Sequence, residues 1–345
     1  MDVVLIGMGM VAQTHLLALR DNSAGARLVG VLGRDVARTR AFCETASTVL
    51  GYDAAALSDI DAVLGRAPGI ALVITPPDAR LDYAQALAAA RIPTLMEKPV
   101  ERNLDAARAV IATYARQDVP LGLCFQHRTR GAAQTLKMRL AAGALGDIVH
   151  VEVRVPWWRD QAYYDVPGRG TYGRDGGGVM INQAIHSLDL ALWLAGAVTH
   201  VQALMRTSPL HRMEAEDIAA ALLQFQSGAS GVLSATTAAY PGNAESIAIT
   251  TTKGQILLQG DHLQIDLVSG ESESIAPDSG GGTGGGADPM AFTHAWHQTI
   301  LEDFVAAVAD GRPPLAPANE ALHVHAVIDA MERAARSGRI EEVAA

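Results

Sequence analysis

The chain is short of cysteine, of positive charge and of long apolar runs, and each shortage removes a class of protein. Its 345 residues include two cysteines, Cys43 and Cys124. Both lie in apolar stretches without zinc-ligand spacing, so they are expected as reduced, buried thiols. Acidic residues outnumber basic ones by 37 to 27, a formal charge of −10. That balance leaves no surplus to neutralise phosphates, so no nucleic-acid partner is expected. No run is long enough to span a bilayer. The start, MDVVLIG, lacks a basic segment and a small-residue cleavage site, so a cytoplasmic protein without a membrane partner is expected. What remains is 49% hydrophobic and 19% charged, a soluble globular composition at a length that favours two domains.

Residues 3–6 form a fully apolar run, as a buried parallel strand requires, and a helical stretch over 12–20 follows a glycine turn. Further strands are predicted at 28–32, 71–74, 94–96 and 120–125, with helices over 80–90 and 104–114. Strands alternating with helices imply a doubly wound parallel sheet. Past residue 125 the rhythm changes. A helix over 132–142 leads to a strand at 150–155, a Trp-, Tyr-, Gly- and Arg-rich loop over 156–178, and a helix over 180–194. Six β-like runs follow, at 201–206, 218–225, 229–237, 246–251, 255–258 and 263–267. Short turns between them predict a large open, mostly antiparallel sheet with helices on one face. The run SGGGTGGGA at 279–287 is expected to be a mobile loop, and helices over 293–310 and 320–336 close the chain.

Gly7-x-Gly9-x-x-Ala12 stands between a strand and a helix, the context of the dinucleotide fingerprint. Gly7 permits the tight turn and Gly9 lets a pyrophosphate approach the backbone. Ala12 lets the helix pack on the strand, and the N–H groups of Met10 and Val11 receive the anion. Residues 1–125 are therefore predicted as a Rossmann dinucleotide-binding domain. Residues 126–290 make an α+β substrate and oligomerisation domain, and C-terminal helices over 291–345 pack back across the domains. An NAD-selecting carboxylate belongs at the end of the second strand. Gly33 stands there, with Arg34, Asp35 and Arg38 after it. A glycine plus a guanidinium suits a 2′-phosphate, so the sequence favours NADP over NAD, the alternative being that Asp35 still reaches the ribose.

Glu97-Lys98-Pro99 closes a strand at the carboxyl edge of the first sheet, where ligands bind. Together with the glycine turn, Thr75-Pro76-Pro77 and the segment Gly176-Gly177-Gly178…Asn182…His186…Asp189, it resembles the glucose–fructose oxidoreductase and inositol dehydrogenase (Gfo/Idh/MocA) family. The resemblance extends along the whole chain, through LAAGALGDI at 140–148 and the helix with Phe304 that leads to Gly311-Arg312-Pro313. It implies an NAD(P)-dependent oxidoreductase that transfers hydride between a secondary hydroxyl of a sugar, polyol or sugar derivative and nicotinamide. Two alternatives stay open: a redox-assisted glycoside-cleaving enzyme that recycles NAD, and a non-catalytic NAD(P)-binding regulator.

Hydride transfer from an alcohol needs a base for the hydroxyl proton and a cation for the developing alkoxide. The resemblance assigns these roles to Lys98 and His186, with Asn182 beside them. Asn182 and His186 are four apart in a helical stretch, so both are expected to project from one face. The family commonly has Asp at position 182, and Asn cannot stabilise an imidazolium by charge. Asp189 is expected to be a structural hydrogen-bonding partner. The resemblance also suggests a cis Lys98–Pro99 bond. Thr75, Pro76, Glu97 and Lys98 join the predicted dinucleotide contacts. Arg80 replaces the family's usual His and is expected to face solvent rather than cofactor phosphate.

Substrate contacts are predicted at Arg128, Trp158, Tyr163, Tyr164, Arg169, Tyr172, Asn182 and His186. Aromatic faces suit polyol C–H surfaces, and Arg128 suits a carboxylate or phosphate. Trp157 serves either the substrate or a subunit contact. His127, His294, His297, His323 and His325 can be read as a metal set, but the spacings of His294/His297 and His323/His325 are unremarkable in helices, and no metal is expected. Apolar residues alternate along 218–225 and 229–237, so a homodimer or homotetramer through the second-domain sheet is expected.

Overall fold

Val3, Val4, Leu5 and Ile6 are all fully buried, because the strand they form lies inside a parallel sheet covered on both faces. In the computed structural model, which describes residues 1–276, 285, 286, 288 and 290–344, the chain forms two compact units. Met1–Gln126 and His294–Leu322 make the first, and His127–Thr293 and His323–Ala345 the second. The predicted mobile loop at 279–287 lies outside the described residues except for Gly285 and Gly286.

The first unit runs β1 (Asp2–Ile6), α1 (Ala12–Asp21), β2 (Arg27–Leu32), α2 (Val36–Leu50), β3 (Ala55–Leu57) and α3 (Ile60–Leu64). It continues with β4 (Ile70–Val73), α4 (Arg80–Ala89), β5 (Thr94–Met96), α5 (Leu104–Gln117) and β6 (Leu121–Leu123). All pairs are parallel, in the order β3-β2-β1-β4-β5-β6. The strand order reverses between β1 and β4, and the carboxyl ends there form the crevice in which such sheets bind ligands.

The second unit opens with α6 (Gly131–Ala141), β7 (Ile148–Pro156) and the short α7 (Gln161–Tyr164). The predicted helix at 180–194 is not uniform: it begins as a π turn over Met180–Ala184 and becomes α8 (Ile185–Ala195). The strands β8 (Val198–Arg206), β9 (Ile218–Phe225), β10 (Ser230–Thr236) and β11 (Ser246–Thr251) come next. Then follow β12 (Gly254–Gln259), β13 (His262–Leu267) and β14 (Ser272–Ile275). The sheet order is β14-β13-β12-β11-β7-β10-β9-β8, with a last short strand β15 (Glu341–Glu342) beyond β8. The sheet is the expected open, mostly antiparallel one, mixed only where β7 and β10 run parallel.

After the second sheet the chain rejoins the first unit as α9 (Ala295–Asp310). There Ile300, Leu301 and Phe304 enter one core with Leu5, Leu16 and Leu72. Gly122 of β6 permits this, since a Cβ on it would lie 2.7 Å from the Phe304 ring. The final helix α10 spans Ala318–Ser337. No helix among the described residues is long and apolar enough to cross a membrane.

Candidate functional site: a dinucleotide cradle and a glycine-clamped helix

The glycine turn leaves β1 with Gly7 at φ +104°, a backbone that L side chains rarely adopt. A Cβ on Gly7 would stand 2.8 Å from the Thr75 nitrogen, so the turn must press on the end of β4. Gly9 meets nothing nearer than the Ile74 carbonyl at 3.5 Å, which leaves its face open. The first turn of α1 has no side-chain cap from Val11 and no acidic residue. A helix start of that kind keeps its N–H groups and its positive dipole end for an anion. Beside it, the buried Thr75 hydroxyl has no hydrogen-bond partner among the described residues.

At the end of β2, Gly33 has a reason unrelated to any ligand. A Cβ there would lie 2.3 Å from the Met8 methyl and 2.6 Å from the Thr39 hydroxyl. Asp35 caps α2, accepting the Arg38 N–H at 2.9 Å. Arg34 and Arg38 are exposed, and Arg38 with Met8, Ala41, Phe42 and Thr45 lines a cavity of about 310 Å³.

Lys98 is half-buried at the carboxyl end of β5, and the Lys98–Pro99 bond is cis as the resemblance suggested. Two devices hold its loop. The first is Arg80, and it corrects the expectation that this side chain faces solvent: it is 2% exposed. Its guanidinium donates to the carbonyls of Thr75 (Nη2, 2.8 Å), Val100 (Nη1, 3.4 Å), Glu97 and Pro99. Burial pushes Arg80 down to about 10, so it stays cationic at neutral pH.

The second device corrects the placing of Glu97 among the dinucleotide contacts. Its carboxylate is turned inward and is 5% exposed. Oε1 accepts from His15 Nε2 at 2.9 Å and lies 3.4 Å from His297 Nε2. Oε2 accepts the Lys98 N–H at 3.2 Å. Burial alone would raise the Glu97 carboxyl, but the two imidazoles hold it well below the carboxylate range. Burial and the neighbouring carboxylate push the Cys124 thiol up, so it remains protonated.

In the second unit the triple glycine is explained residue by residue. Gly176 and Gly177 have φ of +83° and +151°, and a Cβ on Gly178 would fall 1.7 Å from the Glu216 carbonyl oxygen. Glu216 clamps this turn. Its carboxylate accepts the N–H of Gly178 at 3.1 Å and of Met180 at 3.0 Å, and its carbonyl accepts that of Val179 at 2.8 Å. Burial raises the Glu216 carboxyl to about 7.

The segment after the triple glycine is the π turn of Met180–Ala184, which leads directly into α8. Within it the Asn182 amide donates back to the carbonyls of Gly177 (2.8 Å) and Gly178 (3.1 Å). His186 is buried, its ring stacked on His127 with centroids 4.8 Å apart. Neither His127 nor Gln183 was picked out as a site residue from sequence. Gln183 is 5% exposed and donates to the Tyr163 hydroxyl at 3.2 Å. Arg169 reaches the same hydroxyl at 2.7 Å, with its guanidinium 4.4 Å from the Tyr163 ring centre.

Arg128, Tyr164 and Trp157 serve the interior. Arg128 and Asp189 form a buried ion pair, so Arg128 is committed to a protein carboxylate rather than a substrate anion. The Tyr164 hydroxyl bonds Thr237 at 2.6 Å, and burial raises it. Trp157 is 5% exposed and donates to Glu245 at 3.2 Å, which removes it from both roles weighed for it. Trp158 packs edge-on to Tyr240 at 5.4 Å, and Tyr172 is 44% exposed.

A classically ordered parallel sheet, a glycine turn feeding an uncapped helix, and a lysine at a neighbouring strand end define a dinucleotide-binding protein. The particular family follows from comparison. Residues 1–125 match the GFO/IDH/MocA oxidoreductase family, NAD-binding Rossmann fold, and residues 133–257 match the GFO/IDH/MocA C-terminal domain. The chain belongs to this oxidoreductase family. It is 25% identical to inositol 2-dehydrogenase of Rhizobium meliloti strain 1021 over 97% of each chain. It is 27% identical to D-apiose dehydrogenase of Rhizobium rhizogenes strain K84, over 99% of this chain and 97% of that one. The crystal structure of the WlbA dehydrogenase of Bordetella pertussis, in complex with NADH and UDP-GlcNAcA, superposes with a TM-score of 0.81 at 26% identity. It covers 100% of this chain and 99% of that one.

Proposed function

We propose that this chain is a dehydrogenase that oxidises a secondary hydroxyl of a sugar, polyol or sugar derivative, or reduces the corresponding ketone, with NADP(H) preferred over NAD(H). One observation carries the reading: a half-buried lysine on a doubly anchored loop at the end of β5, two strands from the glycine turn. The dinucleotide fits the residues present. Gly9 is open, α1 starts uncapped, and the buried Thr75 hydroxyl lacks a protein partner. In this reading Gly7, Gly9, Met10, Val11, Thr75 and Pro76 hold the pyrophosphate and nicotinamide half, and Gly33, Arg34 and Arg38 the adenosine half. The bound nicotinamide supplies the hydride acceptor or donor.

Lys98 holds positive charge at the reacting oxygen and exchanges its proton at Nζ, with the His186 imidazole sharing that transfer. Asn182 acts by holding the glycine turn. Tyr163, Arg169 and Gln183 orient the substrate: the Gln183 Oε1 and Arg169 Nε atoms are buried with no partner among the described residues. Arg and amide groups convergent on an aromatic face suit a polyhydroxylated ligand. The relatives named for inositol and D-apiose support the same substrate class. The test is a thermal-shift screen with NADP and NAD, then polyols and sugars with the better cofactor. A native-state ligand must raise the melting temperature, so a flat response to both dinucleotides rejects the reading. Lys98→Ala and His186→Ala should each abolish most turnover. Turnover with no net change in nicotinamide absorbance would instead indicate a recycled cofactor.

The same reading includes self-association through the second sheet. Residues paired across neighbouring strands share a face. One row runs Gln202, Leu222, Val232, Glu152, Ala248, Leu257. On it Leu222 is 58% and Leu257 36% exposed. Apolar side chains on an open sheet face favour burial against a second copy. A monomer by light scattering rejects this part.

A further inference from the structure

We propose that His15 and His297 are positioning residues for Lys98: through Glu97 they tie the lysine loop to α1, the helix that begins at the glycine turn. The inference rests on Lys98 being the catalytic lysine. The arrangement is specific. His15 stands in the first turns of α1 and His297 in α9, 1% and 2% exposed, with their rings edge to face at 5.1 Å. Both present Nε2 to the same oxygen of Glu97, and the other oxygen receives the N–H of Lys98 itself. The Cys124 sulfur lies close by, within 4.8 Å of the Glu97 and His15 ligand atoms.

A strand end needs no such construction. Burying an ionised carboxylate costs several kcal/mol unless donors surround it, and apolar packing of equal volume would hold a strand at least as well. What the carboxylate adds is direction. It fixes the backbone at Lys98 from one side, while Arg80 fixes the carbonyls of Glu97 and Pro99 from the other. His15 then transmits the position of α1, and thus of the glycine turn, to the lysine. A displacement of about 1 Å at a reacting group can lower a rate ~100-fold.

The donor geometry gives the test. Glutamine in place of histidine can present its amide N–H near the position of Nε2, whereas leucine fills the space without a donor. In the full-length protein, His15→Leu and His297→Leu should each reduce kcat about 10-fold or more with substrate KM changed less than about 3-fold. His15→Gln should recover most of that loss. A second readout needs no substrate: the rate of amine-reagent labelling of Lys98, relative to the exposed Lys253 and read by mass spectrometry. It should shift at least ~3-fold in the leucine variants and return towards wild type in His15→Gln.

If the leucine variants lower only the melting temperature, leaving kcat and Lys98 labelling as in wild type, the residues are packing and the proposal fails. Stoichiometric zinc that is lost on Cys124→Ser would also overturn it, because His15, Glu97 and Cys124 place ligand atoms within 4.8 Å of one another. Should no polyol be turned over while labelling still shifts, the tie stands and the dehydrogenase reading falls.

Discussion

Arg128 and Asp189 meet through two parallel hydrogen bonds, Nε to Oδ2 at 2.8 Å and Nη2 to Oδ1 at 2.6 Å, with both side chains buried. Asp189 lies on α8 three residues after His186, so the pair anchors the helix that carries the histidine. Removing one partner of a buried pair strands the other charge. Arg128→Ala should therefore lose about 3–5 kcal/mol in urea denaturation, while the double replacement Arg128→Met with Asp189→Leu should lose much less. Unchanged stability with a raised substrate KM would return Arg128 to the substrate role that its sequence position suggested.

Glu216 makes stability depend on pH. Its carboxyl titrates at about 7 in the folded chain against an ordinary 4.5, chiefly because it is buried. The folded state therefore keeps a proton that the unfolded state releases. Its contribution is present in full below pH 4.5 and is lost as pH rises through 7. Between about pH 5 and pH 8 the loss should be roughly 2–3 kcal/mol. Glu216→Gln cannot titrate, so its stability should be flatter over the same range by that amount. Equal slopes for the two proteins would show that the carboxyl is ionised throughout.

The triple glycine offers a direct steric test. Gly178→Ala places a methyl 1.7 Å from the Glu216 carbonyl oxygen, so the turn must open. The expected loss is about 3–4 kcal/mol, with a fall in activity because the segment leading to His186 moves. Gly173→Ala is the control: nothing lies within 4 Å of its Cβ position, and circular dichroism melts should barely change.

Cofactor choice turns on exposed guanidinium groups. Arg34→Ala with Arg38→Ala should reduce the NADP-to-NAD ratio of kcat/KM by about 10- to 100-fold, the value of one or two charge-assisted hydrogen bonds. An unchanged ratio would mean that neither arginine meets a 2′-phosphate. Gly33→Asp alone should be a poor route to NAD, since Met8 and Thr39 already fill the space.

Features encoded locally were readable from the sequence. The apolar run of β1, the glycine turn and the strand-end lysine need only neighbours in the chain, and the alternation along β9 gave its ends without error. The short β3, Ala55–Leu57, escaped because two alanines in three residues carry no strand signature. The inward turn of Glu97 depends on His15, 82 residues away, and on His297, whose helix is otherwise unremarkable. The π turn over Met180–Ala184 had no local marker, so the spacing predicted one regular helix over 180–194. In the 156–178 loop, residue type could not separate Tyr163, at a polar cluster, from its neighbour Tyr164, which bonds Thr237 in the interior.

Arg80 bears on how this enzyme family can be recombined. One guanidinium serves carbonyls from Thr75 and from the Glu97–Val100 stretch, segments separated by most of a βα unit. A loop transplanted from a relative with histidine at position 80 would arrive shaped for a smaller donor, and the resident arginine would have nowhere else to put its charge. The two stretches behave as a single heritable part, and chimeras should respect that boundary rather than the ends of the strands.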